Sequence, residues 1–230
     1  MENYSHTPLV TIVLFGWIPV VLVFFAIFPA RRAVIISFLF AWLFLPVASY
    51  TLPYFPDYDK TSATSIGVLC AALIFDAERL LRFRPKWFDW PILLFCASPF
   101  CSSISNGLGV YDGLSQSLGF IVMWLIPYFL GRVYFDTPEA MRDLAMGIFI
   151  GGLVYVPFCL YEIRMSPQLH RIVYGYHTMQ FAQTVRYGGY RPVVFIGGSG
   201  STLSLWMGFT ALCGYWLWRC RMRTMLWGMP

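Results

Sequence analysis

The chain has 230 residues, of which 58% are hydrophobic and only 12% charged, with a mean hydropathy of +0.64 and a formal net charge of +5. A soluble domain carries roughly 25% charged residues, so this chain lacks the polar surface needed to cover a water-soluble globule. Composition therefore points to an all-α, polytopic integral membrane protein before any motif is read.

Taken in chain order, residues 1–7 contain Glu2 and no Lys or Arg. The basic start of a cleavable signal peptide is missing, so none is expected. A transmembrane helix needs about 20 apolar residues to cross roughly 30 Å of hydrocarbon. Pro8–Pro29 and Ala33–Phe55 meet that requirement without a formal charge. Thr61–Phe75 is shorter, but Arg79 and Arg82 beyond it can snorkel to the headgroups. Trp90–Val110 is uncharged, although Pro99 and a Ser-rich run interrupt its second half. Leu114–Gly131 and Leu144–Tyr161 follow, with Pro127 and Pro157 expected to kink them by removing a backbone donor. Pro192–Trp218 is long and uncharged but broken by Gly197-Gly198-Ser199-Gly200, read as an unwound helix start or a close-packing site. The expectation is about seven transmembrane helices in one domain, residues 1–230.

The six cysteines form no CxxC pair. Cys70, Cys96, Cys101, Cys159 and Cys213 lie in apolar runs and read as small buried hydrophobes. No metal or organic-cofactor motif is visible, and nucleic acid is not an expected partner.

Basic residues set the orientation. With the N-terminus outside, Arg31, Arg32, Arg79, Arg82, Arg84, Lys86, Arg132, Arg142, Arg219, Arg221 and Arg223 fall inside, and Lys60, Arg164, Arg171, Arg186 and Arg191 outside. This satisfies the positive-inside rule, whereas the inverse orientation does not. Four of these five exceptions cluster in residues 162–191, an outer interfacial segment that also holds His170 and His177.

Within that segment Ser166-Pro167 reads as a helix start. Leu169, Ile172, Val173 and Tyr176 follow an amphipathic spacing, and Phe181, Thr184, Val185 and Gly188 repeat it more weakly. Two short surface helices, apolar faces toward the membrane, are expected. Arginine grips phosphate oxygens in pairs, so Arg164, Arg171, Arg186 and Arg191 are the candidate substrate-binding residues. Glu162, His170 and His177 are the candidate proton acceptors. Tyr174, Tyr176, Tyr187 and Tyr190 suit sugar stacking or ordinary interfacial anchoring. Asn106–Gly113 is a turn, with Asp112 either plain turn chemistry or a partner for a sugar hydroxyl. The competing reading is that interfacial arginines hold lipid phosphates and nothing more.

Several phrases carry a resemblance. Phe75–Pro85 (FDAERLLRFRP), Ser105–Gly113 (SNGLGVYDG), Pro127–Arg132 (PYFLGR), Tyr161–His170 (YEIRMSPQLH) and Gly188–Pro192 (GGYRP) together resemble bacterial O-antigen ligase and O-antigen polymerase-like membrane proteins. The resemblance implies a multi-helix glycosyltransferase of the bacterial inner membrane, engaged in lipopolysaccharide and other polysaccharide biosynthesis. It implies transfer of glycans from polyprenyl pyrophosphate carriers at the periplasmic face, with Arg164 and Arg191 on the pyrophosphate. Relatives are longer and carry a Gln-His-Gly-type sequence where this chain has Gly197-Gly198-Ser199-Gly200, so the resemblance is to their N-terminal part and implies a truncated product inactive alone, one part of a split enzyme, or an inactive relative. The expected partners are membrane lipids, a polyprenyl-pyrophosphate-linked glycan and, for a split enzyme, a second polypeptide. The alternative is a non-catalytic membrane subunit or a lipid-binding accessory protein.

Overall fold

In a computed structural model the described residues are 7–51, 56–186, 188–197 and 200–219. Eleven α-helices account for most of them. Helices α1 (Pro8–Phe15) and α2 (Trp17–Ile27) run on through Gly16. Helix α3 (Ala30–Phe44) leads to a two-residue strand β1 (Ser49–Tyr50), antiparallel to β2 (Tyr58–Asp59). Helices α4 (Lys60–Phe75), α5 (Ala77–Leu81) and α6 (Trp90–Ser105) follow, then α7 (Val110–Phe120) and α8 (Ile126–Tyr134). Helix α9 (Pro138–Met165) is the longest, with 28 residues. A six-residue α10 (Leu169–Tyr174), a hairpin of β3 (Val185–Arg186) and β4 (Gly189–Tyr190), and α11 (Gly200–Arg219) complete the chain.

Local chemistry explains the boundaries. Asp59 caps α4 by accepting the Ser62 amide at 2.8 Å. Thr137 caps α9 with Pro138 at the first position, the place a helix tolerates proline. Between α7 and α8, residues Ile121–Leu125 widen into a π-helical turn just before Pro127. A proline that cannot donate relocates the ladder there, so α7 and α8 form one bent rod over Val110–Tyr134.

Three helical stretches are long and apolar enough to cross a membrane by length and composition: Pro8–Ile27, Val110–Tyr134 and Pro138–Met165. Helix α4 is apolar but has only 16 residues. One core packs α1, α2, α3, α4 and α8 around Leu14, Trp17, Val21, Val68, Leu130 and Tyr134. A second, around Tyr155, Tyr174, Val194, Phe195 and Leu203, joins α9, α10 and α11 to the irregular stretch 193–197. The outer surface is apolar as well, with Ile12, Ile74, Leu94, Leu160, Leu205 and Leu212 all exposed. Large apolar side chains exposed in such numbers are stable only in contact with lipid or another apolar phase.

Several expectations are corrected. The second surface helix is absent: Phe181–Gln183 is a 3₁₀ turn and the next residues form the β3–β4 hairpin. Gly188 at φ +78° makes the hairpin turn that a helical reading of the same spacing overlooks. Ser166-Pro167 does not start a helix. Ser166 sits at φ +76°, breaking the chain after α9, and α10 begins at Leu169. Helix α10 turns His170 and Tyr174 inward and leaves Ile172 and Val173 exposed, so its buried pair is polar and aromatic instead of the predicted aliphatic stripe. Cys96 and Cys159 are buried as expected, but Cys70 and Cys101 are exposed on the apolar surface. Cys220, Arg221 and Arg223 lie outside the described residues.

Candidate functional site

Residues 162–197 cap one end of the bundle, and the cap is organised by one face of α9. Tyr155, Cys159 and Glu162 recur at i, i+4 and i+7, which places them on a single helix face, and all three are buried. Glu162 is only 1% exposed. Its Oε1 accepts the Leu169 amide at 3.1 Å. Its Oε2 accepts the amides of Val193 and Val194, each at 2.8 Å. One carboxylate thus ties the end of α9 to the start of α10 and to the stretch before α11. Hydrogen bonds to an ionised acceptor are the strong ones, and three of them compensate the burial of the charge. Among the described residues the two non-glycine residues at positive φ are Ser166, between α9 and α10, and Val194 at +52°, whose amide is part of this clasp. Such conformations cost about 1–3 kcal/mol each and persist only where surrounding contacts fix them.

Other side chains serve the irregular backbone in the same way. The Tyr155 hydroxyl donates to the Leu43 carbonyl at 3.0 Å and accepts the Phe195 amide at 2.9 Å. Buried Lys60 donates from Nζ to the Ile196 carbonyl at 2.7 Å and lies over the Trp42 ring. Tyr174 donates to the Phe44 carbonyl and Tyr176 to the Val47 carbonyl, both at 2.7 Å. The Tyr174 and Tyr176 hydroxyls therefore clamp the last residue of α3 and the segment that follows it.

His170 is buried against Tyr176 and Phe195. Its Nδ1 lies 3.0 Å from the Tyr176 carbonyl, which only accepts, and the Val47 amide donates to Nε2 at 3.4 Å. That pair of partners fixes the neutral tautomer with the proton on Nδ1. Burial, with smaller contributions from the charges of Lys60 and His177, lowers its pKa to about 4 against an opposing contribution from the Tyr176 carbonyl. The imidazole has no free nitrogen for a substrate proton, and the Glu162 oxygens are occupied by backbone amides. His177 is exposed at the mouth of a cavity of about 10 Å³ that Glu162, His170, Thr184 and Val193 also line. That space matches a single water.

The candidate arginines lie outside this clasp. Arg164 and Arg171 are exposed, and Arg191 is half-buried. Arg164 follows Glu162 by two residues on α9 and therefore points away from the clasp, whereas Arg191 precedes the clasped Val193 by two. The Arg191 side chain crosses Gly200: a Cβ there would lie 2.0 Å from its Cδ, so only glycine leaves that path open. Among the described residues, no carboxylate forms an ion pair with Arg164, Arg171 or Arg191. The four ion pairs, Arg31–Asp143, Arg79–Asp136, Arg82–Glu78 and Arg132–Asp89, all involve arginines of the opposite end. The Arg186 backbone pairs with Gly189, and its side chain, like Tyr187, lies outside the described atoms. Asp112 is exposed in the first turn of α7.

Comparison with known proteins adds no relative: no family model, no curated protein and no solved structure matches this chain.

Two features of the site escape a reading by sequence. Lys60 looks like a boundary charge ahead of an apolar helix, and only the fold carries Ile196 to it. At the opposite end Asp89 accepts the Lys86 amide at 2.6 Å, the Tyr128 hydroxyl, and Arg132 Nε at 3.1 Å. Arg132 also lies 4.5 Å from the Phe88 ring centre. These residues are too far apart in sequence for any local spacing to reveal the cluster.

Proposed function

We propose that this is a seven-span protein of the bacterial inner membrane, N-terminus periplasmic and C-terminus cytoplasmic, that binds a polyprenyl-pyrophosphate-linked saccharide at the periplasmic face. In this reading it is of the O-antigen ligase and polymerase-like kind. The carrying observation is the contrast between the two ends of the bundle. Acidic side chains neutralise several arginines at one end, whereas at the other the nearby carboxylate, Glu162, is committed to backbone amides. Arg164, Arg171 and Arg191 are left to meet an external anion, and paired guanidinium groups suit a pyrophosphate.

Helices α3, α4 and α6, with 15, 16 and 16 residues, rise about 22–24 Å. As spans they require local thinning of the bilayer or snorkelling ends, for which Arg31, Arg32, Arg79 and Arg82 are placed.

A second reading has a specific observation behind it. Both ring nitrogens of His170 are hydrogen-bonded and the Glu162 carboxylate holds three backbone amides, so the described site has a binder's arginines while these two side chains serve the backbone. This favours a lipid-binding accessory protein or one half of a split enzyme over a self-sufficient glycosyltransferase.

Reconstitution in nanodiscs with isoprenyl pyrophosphate tests the binding. Arg164→Ala and Arg191→Ala are each expected to weaken it about tenfold to a hundredfold, the loss of one charge-assisted bond. Unchanged affinity in both variants sinks the proposal. So does labelling of a single cysteine at Met165 from the cytoplasmic side alone. Turnover of a lipid-linked glycan by the purified chain decides between enzyme and accessory protein.

A further inference from the structure

We infer that the groove between α9 and α11, at the end of the bundle opposite the cap, holds an anionic phospholipid. The argument begins with the packing of the two helices. Gly152 lies against Thr210, where an added Cβ would come within 2.0 Å of Thr210 Cγ2. Gly214 lies against the Phe149 ring, where an added Cβ would come within 2.5 Å. Small residues at both points let the backbones approach closely. These two contacts also fix an antiparallel register, in which residues 152 and 149 face 210 and 214.

Alongside this seam, on one face of the helix pair, a groove remains. A cavity of about 300 Å³ opens between Leu144, Ala145 and Ile148 of α9 and Phe209, Leu212 and Trp216 of α11. Its walls are almost wholly apolar, which suits an acyl chain.

Extending the same register brings Arg142 and Arg219 to one level at the mouth of the groove. Arg142 precedes Ala145 by three residues and Arg219 follows Trp216 by three, so each continues the stripe that lines the cavity. Both are exposed. Among the described residues neither has an ion-pair partner, and the neighbouring Asp143 is taken by Arg31 at 3.3 Å. An apolar slot ending at two uncompensated guanidinium groups complements a lipid with a phosphate at the end of its acyl chains. A zwitterionic lipid gains less there, because its ammonium group opposes the same arginines. This site rests neither on the arginines of the cap nor on the orientation of the chain in the membrane.

Native mass spectrometry of the full chain, released from micelles doped with equal phosphatidylglycerol and phosphatidylcholine, tests the inference. The native chain is expected to retain phosphatidylglycerol in preference, on the order of thirtyfold, the factor that two basic residues supply against an anionic headgroup. The preference should collapse toward one in R142Q/R219Q and persist in the charge-matched R82Q/R84Q and in R164Q/R191Q. Ala145→Trp, which fills the slot without touching charge, should lower retention of both lipids. Equal retention of the two lipids by the native chain overturns the inference. A preference that survives R142Q/R219Q, or one lost equally in R82Q/R84Q, overturns it as well, the latter by showing a response to overall charge.

Discussion

Glu162 does at the residue scale what no other carboxylate among the described residues does: it holds three separate backbone amides. Replacing it with alanine leaves those amides buried and unpartnered, at a cost of about 1–3 kcal/mol for each donor that finds no substitute. The expected result for Glu162→Ala is a loss of at least about 3 kcal/mol of stability, read as a lowered thermal transition in detergent, with early proteolysis within residues 166–197. Glu162→Gln keeps one acceptor oxygen but turns its carboxamide NH2, a donor, toward a backbone amide, so an intermediate loss is expected. His170 adds a pH dependence of known sign. Its pKa is about 4 in the folded cap and near 6.5 once exposed. Between these values the opened cap binds more protons than the closed one, so closure weakens as pH falls from 6.5 toward 4. Protease cleavage of the cap should accelerate over that window in the native chain. In His170→Phe the cap should be weaker at pH 7 and should lose that part of the acceleration; an identical pH profile in the variant refutes the assignment. Sequence reading selected both residues as proton acceptors because their type and location fit that role. It had no view of the amides and carbonyls that occupy them, three of the five of which come from residues 31 positions away or more.

The α9–α11 seam carries the argument to the level of elements. Helix α9 packs against α3 through Gly147, whose added Cβ would meet Ile35 at 2.6 Å, and against α11 through Gly152 and Gly214. Overpacking a close contact costs about 1–3 kcal/mol. Gly152→Ala is expected to destabilise the protein by that amount, and Thr210→Ala in the same chain should recover part of the loss by removing the two nearest atoms. A double-mutant cycle on thermal stability measures the coupling, and simple additivity of the two variants contradicts the packing described. The cores of the helices were legible from apolar runs, because a run of uncharged residues is what a membrane-facing helix requires. Their ends were not. The Leu144–Tyr161 run becomes Pro138–Met165, since Glu139, Arg142 and Asp143 at one end and Glu162 and Arg164 at the other are polar yet helical. The Pro192–Trp218 run loses its first turns, because Val193–Ile196 bond to Glu162, Tyr155 and Lys60 in place of a helical ladder.

For the whole molecule, charge and length act together. A 16-residue apolar helix such as α4 spans the hydrocarbon only with help from its flanks. At the end away from the cap those flanks hold Arg79, Arg82, Arg84 and Lys86, and Arg79 is additionally fixed by the Val133 carbonyl at 3.2 Å and by Asp136. The remaining three are exposed, Arg82 paired with Glu78 and Lys86 lying over the Phe88 ring, so removing their charges should disturb little packing. Changing Arg82, Arg84 and Lys86 together to glutamine should leave folding of the correctly inserted chain nearly intact, because surface pairs such as Arg82–Glu78 contribute about 0–1 kcal/mol. It should weaken retention of the α4–α6 connection on the cytoplasmic side. A reporter that is active only outside the cytoplasm, inserted after Phe88, is silent if the native orientation is as proposed. It should gain activity in the triple variant as a fraction of chains inverts or fails to insert α4. An active reporter in the native sequence means that the connection faces outward, and then the arginines of the cap face the cytoplasm and cannot meet a periplasmic pyrophosphate.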